Sequence, residues 1–167
     1  RRIFRDTRFS PDKTPYKTHM GAFVAPRGKK GGYSGYYFHV EPVWDERSWS
    51  HGHQLTTGLY CPLPEVLRSV RDEILDNGAE IEAAIREAKG FVLDESNKLK
   101  RLPKGYAPGS PHDEWLKLKD VYITERLAPE FMLDKELLKN TLHEFRKTKH
   151  FSDILNRAVQ FAYDEMI

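Results

Sequence analysis

The sequence predicts an α+β fold, in which an antiparallel sheet is packed by helices. Segments with the two-residue periodicity of strands dominate residues 2–60, and the C-terminal third has the apolar spacing of helices. The two kinds of segment do not alternate regularly, as they would in a parallel βαβ arrangement. At 167 residues the chain is expected to form a single domain over residues 1–167, which is large enough to bury a core.

Five segments have the pattern of strands. The clearest, residues 35–41, alternates an apolar face with a more polar face that contains His39 and Glu41. The other predicted strands are residues 2–8, 19–25, 54–60 and 120–124. A short hairpin is also predicted between residues 91–93 and 98–102, because turn-forming residues separate them.

Four segments have the pattern of helices. Pro64 suits the first turn of a helix, and Asn77-Gly78 is a typical helix end. Near the C-terminus, Leu138, Leu142 and Phe145 recur at helical spacing. The predicted helices are residues 64–77, 79–89, 134–148 and 152–165.

Several classes of protein are excluded by composition. The chain has one cysteine, Cys61, so it forms no internal disulfide and no thiolate metal cluster. This cysteine usage fits a reducing compartment, and a cytoplasmic location is predicted. No stretch approaches the roughly 18–20 apolar residues of a membrane span, so no membrane partner is predicted.

Charge is distributed unevenly along the chain. Residues 1–40 contain nine Lys and Arg but only two Asp, which gives +7, and the total of +2 leaves −5 for the rest. A basic end and an acidic remainder indicate an anionic partner for one face. The alternative is that the two oppositely charged parts attract each other within the fold.

The basic residues are concentrated in a stretch that also contains aromatic side chains. Residues 2–17 include five basic residues, two aspartates and three aromatics. Read as a strand, residues 2–9 carry charges on both faces, so Arg5 and Asp6 must each be paired or solvated. An arginine fork suits phosphate or carboxylate, although a structural ion-pair network explains the same residues about equally well.

We consider three classes of function. The first, and the best guess, is an anion-binding module for phosphate-bearing small molecules or nucleic acid, in which basic residues act beside an aromatic ring. Its candidate ligand-binding residues are Arg5, Asp6, Arg8, Lys13, Tyr16, Lys17, His39 and Arg101. We further expect Arg8, Lys13, Lys17 and the basic loop 27–30 to form one positive surface, with Asp6 serving mainly as the local partner of an arginine.

The second class is an enzyme, with Asp6, His19, His39 or Glu41 as acid or base acting on an acidic substrate. No nucleophile motif, nucleoside-triphosphate loop or cofactor motif supports it, so no cofactor is predicted and catalytic residues stay unassigned. His51 and His53 lack a committed third ligand, so no metal site is predicted either. The third class is a structural or interaction domain. The oligomeric state stays open.

A set of short motifs extends over most of the chain. They are Arg5-Asp6, Arg8-Phe9, Asp12-Lys13, Pro15-Tyr16-Lys17, Gly35 to Pro42, Gly58-Leu59-Tyr60, Leu99-Lys100-Arg101, Pro103 to Tyr106 and Leu116 to Lys119. In combination they resemble a bacterial family of conserved hypothetical proteins, domain of unknown function 2461. The resemblance implies no activity. Family members typically carry a helical segment ahead of these motifs, so the resemblance also implies that such a segment is missing here.

Overall fold

A computed structural model of the protein describes residues 3–9, 11, 13–42, 48 and 52–167. Its central element is an antiparallel sheet of five strands in the order β1-β2-β3-β5-β4. The strands are β1 (Met20–Val24), β2 (Gly35–Val40), β3 (His53–Leu59), β4 (Val92–Leu93) and β5 (Val121–Leu127). The predicted α+β class with an antiparallel sheet is confirmed.

Helices cover one face of the sheet. They are α1 (Pro64–Glu87), α2 (Asp113–Leu116), α3 (Pro129–Leu133), α4 (Leu137–Lys147) and α5 (Lys149–Glu165). Leu55 of β3, Ile123 of β5 and Leu155 of α5 are completely buried between the two layers. The layers are also joined by a buried hydrogen bond of 2.8 Å between the hydroxyls of Thr57 and Thr148. Burial of these apolar side chains is the main source of stability for the fold.

The two helices predicted at residues 64–77 and 79–89 form one kinked helix. Asn77 departs from helical geometry, with φ −127° and ψ 25°, and the chain then continues as helix to Glu87. Gly78 is buried, and a Cβ there would lie 2.3 Å from Nδ1 of His112. The glycine therefore admits the imidazole ring against the helix, and Asn77-Gly78 bends the helix instead of ending it.

Two predictions of strand pairing are wrong. Residues 91–93 and 98–102 do not form a hairpin, because β4 pairs with β5 and Lys98 bridges to Leu118. Residues 2–8 do not join the sheet over their described part, since Phe4 instead bridges to Tyr16. Pro15 has no amide hydrogen to donate, which limits the pairing around Phe4 and Tyr16 to a short ladder.

The face of the sheet opposite the helices is polar. Residues that oppose each other across antiparallel strands share a face, and here His39 opposes Gln54 while Gln54 opposes Arg126. Two residues further along β3, Thr56 opposes Thr124 of β5, and their hydroxyl oxygens are 3.0 Å apart. The polar face of β2 therefore continues across β3 and β5, on the side of the sheet away from α1 and α5.

Gly58 allows β3 and β5 to approach closely. Its φ is +142°, and a Cβ there would lie 2.3 Å from the carbonyl oxygen of Val121 and 2.5 Å from Cα of Tyr122. Both of these atoms belong to the backbone, so neither can move aside as a flexible side chain would. The position therefore requires glycine for two separate reasons.

We predict that Gly58→Ala lowers the free energy of unfolding by about 3 kcal/mol or more, because it adds a backbone clash to an unfavourable φ. Urea denaturation of both proteins measures the difference. Gly105→Ala is the matched control, since Gly105 has φ +98° but open space around it, and we expect a loss of about 1 kcal/mol. Equal losses for the two variants would contradict the close approach at Gly58.

Candidate anion-binding site

The N-terminal residues form a small hairpin ahead of β1. The amide of Arg5 donates to the carbonyl of Pro15 at 2.9 Å, and the amide of Lys17 donates to the carbonyl of Ile3 at 3.1 Å. Between these bonds, the rings of Phe4 and Tyr16 are stacked with centroids 5.5 Å apart. We call residues 3–17 the N-terminal hairpin, and its described part holds most of the candidate residues.

Arg5 and Lys17 lie on the same face of the N-terminal hairpin. Phe4 and Tyr16 are the directly opposed pair, so alternation puts both neighbouring positions, Arg5 and Lys17, on the other face. Diagonal neighbours of this kind are about 7–8 Å apart. A cleft of about 400 Å³ opens here, and the described residues that line it are Phe4, Arg5, Asp6 and Lys17. We call it the basic cleft.

Arg8 and Asp6 neutralise each other at the edge of the hairpin. Nη2 of Arg8 donates to Oδ2 of Asp6 at 2.7 Å, and Nε donates to Oδ1 at 3.0 Å. The two parallel bonds have the fork geometry in which arginine binds carboxylates best, and they raise the pKa of Arg8 above its ordinary value. Asp6 is therefore the local partner of an arginine, as predicted.

Lys13 is also held within the hairpin. Its ammonium group donates to the backbone carbonyl of Thr7 at 2.9 Å, which links the turn back to the first arm. Lys17 differs from these residues, because it forms no ion pair with any carboxylate of the described residues. Among the described residues of the hairpin, the charged side chains that line the cleft are those of Arg5, Asp6 and Lys17.

The remaining basic candidates lie elsewhere. Loop 27–30 follows the far end of β1, about 17 Å of extended strand away from Lys17, so the single positive surface expected from the sequence is divided in two. Arg101 follows the segment that bridges to Leu118 beside β5. In the strand order, β5 is three strand spacings from β1, about 14 Å. Arg101 is therefore too far from the N-terminal hairpin to line the cleft.

A buried polar network lies beside the basic cleft, around the Val40 end of β2. Its members include His39, Glu41 and His53, whose exposed fractions are 0%, 2% and 8%. The hydroxyl of Tyr37 is 2.9 Å from Nδ1 of His39, and Nε2 of the same ring is 3.5 Å from Oε2 of Glu41. The amide of Glu41 donates to Nδ1 of His53 at 3.1 Å. Each of these polar groups thus has a partner, which burial requires.

The network reaches the surface through His19. Its ring stacks on that of His39 with centroids 5.2 Å apart, and His19 itself is exposed. His19 is two residues from Lys17, so their Cα atoms are within about 7 Å and the network adjoins the basic cleft. From the sequence, His19 is an acid or base candidate and Tyr37 shares one face with His39, whereas His53 is considered only as half of a weak histidine pair.

Burial disfavours the charged form of His39. Burial lowers its pKa below the ordinary value, which outweighs the opposing effect of the hydrogen bond to Glu41. As the sequence indicated, His39 and Glu41 lie on one face, but the imidazole has no exposed surface to offer a substrate. An acid or base role for these residues stays a hypothesis. His51, the other half of the weak histidine pair, lies outside the described residues.

Comparison with known proteins identifies the family. The model of the conserved hypothetical proteins designated domain of unknown function 2461 matches residues 1–153 of the 167. The chain belongs to this family. No curated protein and no solved structure matches the chain. The family has no assigned function, and the case for function in this member therefore rests on its geometry.

Two further findings concern membrane spans and metal sites. Within the described residues, no helix is both long enough and apolar enough to span a bilayer. In the same part of the chain, no three His, Cys, Asp or Glu side chains come together in a way that would hold a metal ion.

A pair of carboxyl groups, one with a raised pKa, lies under α4, and sequence reasoning missed it. Glu125 of β5 and Glu144 of α4 approach each other, and Glu144 is in turn paired with Lys147. Oε2 of Glu125 is buried and has no hydrogen-bond partner in the described structure. Burial and then the neighbouring Glu144 raise the pKa of Glu125 to about 7. The two residues belong to separate elements, so no local pattern signals the pair.

We predict that this pair makes stability depend on pH. Because the pKa of Glu125 rises from 4.5 to about 7 on folding, the folded protein binds the proton more tightly than the unfolded chain does. The resulting stabilisation is complete below pH 4.5 and is lost as the pH rises through about 7. Glu125→Gln removes this titration. Relative to the variant, the wild type should lose about 1–2 kcal/mol across that range, after allowance for solvent screening.

Urea denaturation at a series of pH values measures the effect. Glu130→Gln, at an exposed position on α3, is the control and should follow the wild type at every pH. If the wild type and Glu125→Gln keep a constant difference in free energy of unfolding between pH 4.5 and pH 8, the pKa of Glu125 is not raised on folding.

Proposed function

We propose that the basic cleft binds anionic ligands through a phosphate or carboxylate group. The observation that carries the proposal is the position of Arg5 and Lys17 on one face of the N-terminal hairpin, both lining a cleft of about 400 Å³. A cleft of this size accommodates a small molecule rather than a single ion.

Electrostatics favours an anion between the two side chains. The backbone positions of Arg5 and Lys17 are about 7–8 Å apart, and two positive charges at that separation would repel each other by about 0.5–2 kcal/mol at effective dielectric constants between those of water and a protein surface. An anion bound between the two side chains would offset such a repulsion. Arginine supplies the planar fork that binds two oxygens at once, and lysine supplies a mobile point charge.

Arg8 acts on the cleft indirectly, through its ion pair with Asp6. Its carboxylate lines the cleft but is bound by the Arg8 guanidinium, so part of its negative charge is compensated before a ligand arrives. Removal of Arg8 would leave that charge facing the incoming anion. Arg8 therefore contributes indirectly, by holding Asp6, whereas Arg5 and Lys17 would contact the ligand.

The geometry favours recognition of an anionic group over recognition of a base. The rings of Phe4 and Tyr16 are exposed and stacked on each other, so one face of the Phe4 ring, which lines the cleft, is already covered. A base could use only the remaining surface of that ring, whereas an anionic group could contact both Arg5 and Lys17. Small phosphorylated or carboxylated molecules are thus the proposed ligands, and nucleic acid is the competing one.

We predict that Lys17→Ala weakens binding of a phosphorylated ligand by about tenfold and that Arg5→Ala/Lys17→Ala abolishes it, since each charge contributes about 1–2 kcal/mol at a partly enclosed site. Isothermal titration with inorganic phosphate, a sugar phosphate, a dicarboxylate and short single-stranded RNA, at about 20 mM and about 150 mM salt, measures this effect. Circular dichroism establishes that the variants are folded.

Lys100→Ala is the matched control, because it removes an exposed lysine in the segment beside β5, away from the cleft. It should bind within about twofold of the wild type. Equal binding by the wild type and the double variant would overturn the proposal. Binding of RNA alone, with a steep decrease as salt increases, would favour the nucleic-acid reading instead.

A further inference from the structure

Within the described residues, the outer edge of β1 has no backbone partner. β1 is the last strand on its side of the sheet, and within the described structure its backbone groups bond only to β2. In an antiparallel edge strand, alternate residues direct their N–H and C=O groups away from the sheet. Those groups of residues 20–24 are therefore available to another extended chain.

β1 lacks the features with which natural proteins usually protect an edge. Its sequence, Met20-Gly21-Ala22-Phe23-Val24, contains no charge and no proline. Met20 is 50% exposed and Val24 is 67% exposed, so apolar side chains flank the open backbone groups. The opposite edge strand, β4, has only two residues, which is itself a protection against pairing.

Positive charge is placed at both ends of this edge. Lys17 lies shortly before β1, and Arg27, Lys29 and Lys30 follow it. Arg27 lies 5.3 Å from the ring centre of Tyr33, whereas Lys17, Lys29 and Lys30 form no ion pair with a carboxylate of the described residues. The two basic groups are separated by the length of the strand, about 17 Å.

We propose that the outer edge of β1 binds an extended, acidic segment of another protein, which adds to the sheet as a further strand. The segment would hydrogen-bond to residues 20–24, pack apolar side chains beside Met20 and Val24, and place acidic residues at each end. Backbone pairing supplies the affinity in this mode of recognition, and the flanking charges select the partner.

Charge also argues against a second copy of this chain as the occupant. If two β1 edges pair in antiparallel fashion, Lys17 of each copy meets the 27–30 loop of the other. If they pair in parallel, like ends meet. Both arrangements bring basic groups together and leave them without counter-charges, whereas an acidic segment supplies those charges.

The test uses synthetic peptides of about nine residues, with alternating Val and Thr in the centre and Asp or Glu at both ends. Fluorescence anisotropy measures affinity, and amide hydrogen exchange locates the site. We expect alternate amides of residues 20–24 to gain protection on binding. We also expect Lys29→Glu/Lys30→Glu to weaken binding by about tenfold, while Lys100→Glu/Lys104→Glu, at exposed positions elsewhere, stays within about twofold.

Two modified peptides distinguish strand addition from simple charge attraction. One carries N-methyl groups at its odd central positions and the other at its even positions, so each has one blocked edge. Strand addition requires that one of the two lose binding while the other retains it. Equal binding by both, or an absence of new protection in β1, would overturn the proposal.

Self-association is the remaining alternative outcome. A dimer in sedimentation analysis, with the β1 amides already protected in the absence of peptide, would also overturn the proposal. Arg5→Ala separates this inference from the basic cleft, because it should weaken phosphate binding and leave peptide binding within about twofold.

Discussion

The fold depends on the burial of one face of the sheet beneath α1 and α5. Leu55 and Ile123 supply that face from the strands, and every strand must keep its register for these side chains to reach the core. Since the period of a strand is two, the same register determines what appears on the opposite face. His39, Gln54 and Arg126 are there because their neighbours along each strand are needed by the core.

The buried polar network lies around the Val40 end of β2. Polar groups that lose contact with water there must still find partners. Tyr37, His39, Glu41 and His53 do so by bonding to one another at the end of β2, where His19 also stacks. The network fixes the end of the strand that lies next to the N-terminal hairpin, and it thereby supports the basic cleft.

Local patterns were sufficient to predict much of this architecture. The alternation in residues 35–41 placed His39 and Glu41 on one face, because neighbours in a strand are related by geometry alone. The predicted break at Asn77-Gly78 is present as a kink between two helical segments, but the ring of His112, which packs against Gly78 there, is distant in sequence and was not predicted. Charge content likewise grouped Arg101 and loop 27–30 with the hairpin, but charge carries no information about distance.

The Glu125–Glu144 pair gives the molecule a charge that adapts to its surroundings. Burial and the neighbouring Glu144 raise the pKa of Glu125 to about 7, which brings its titration close to neutral pH. A negative potential brought near α4 would draw a proton onto the pair, and a positive potential would release one. The net charge of the Glu125–Glu144 pair would therefore depend on the charge of whatever molecule approaches α4.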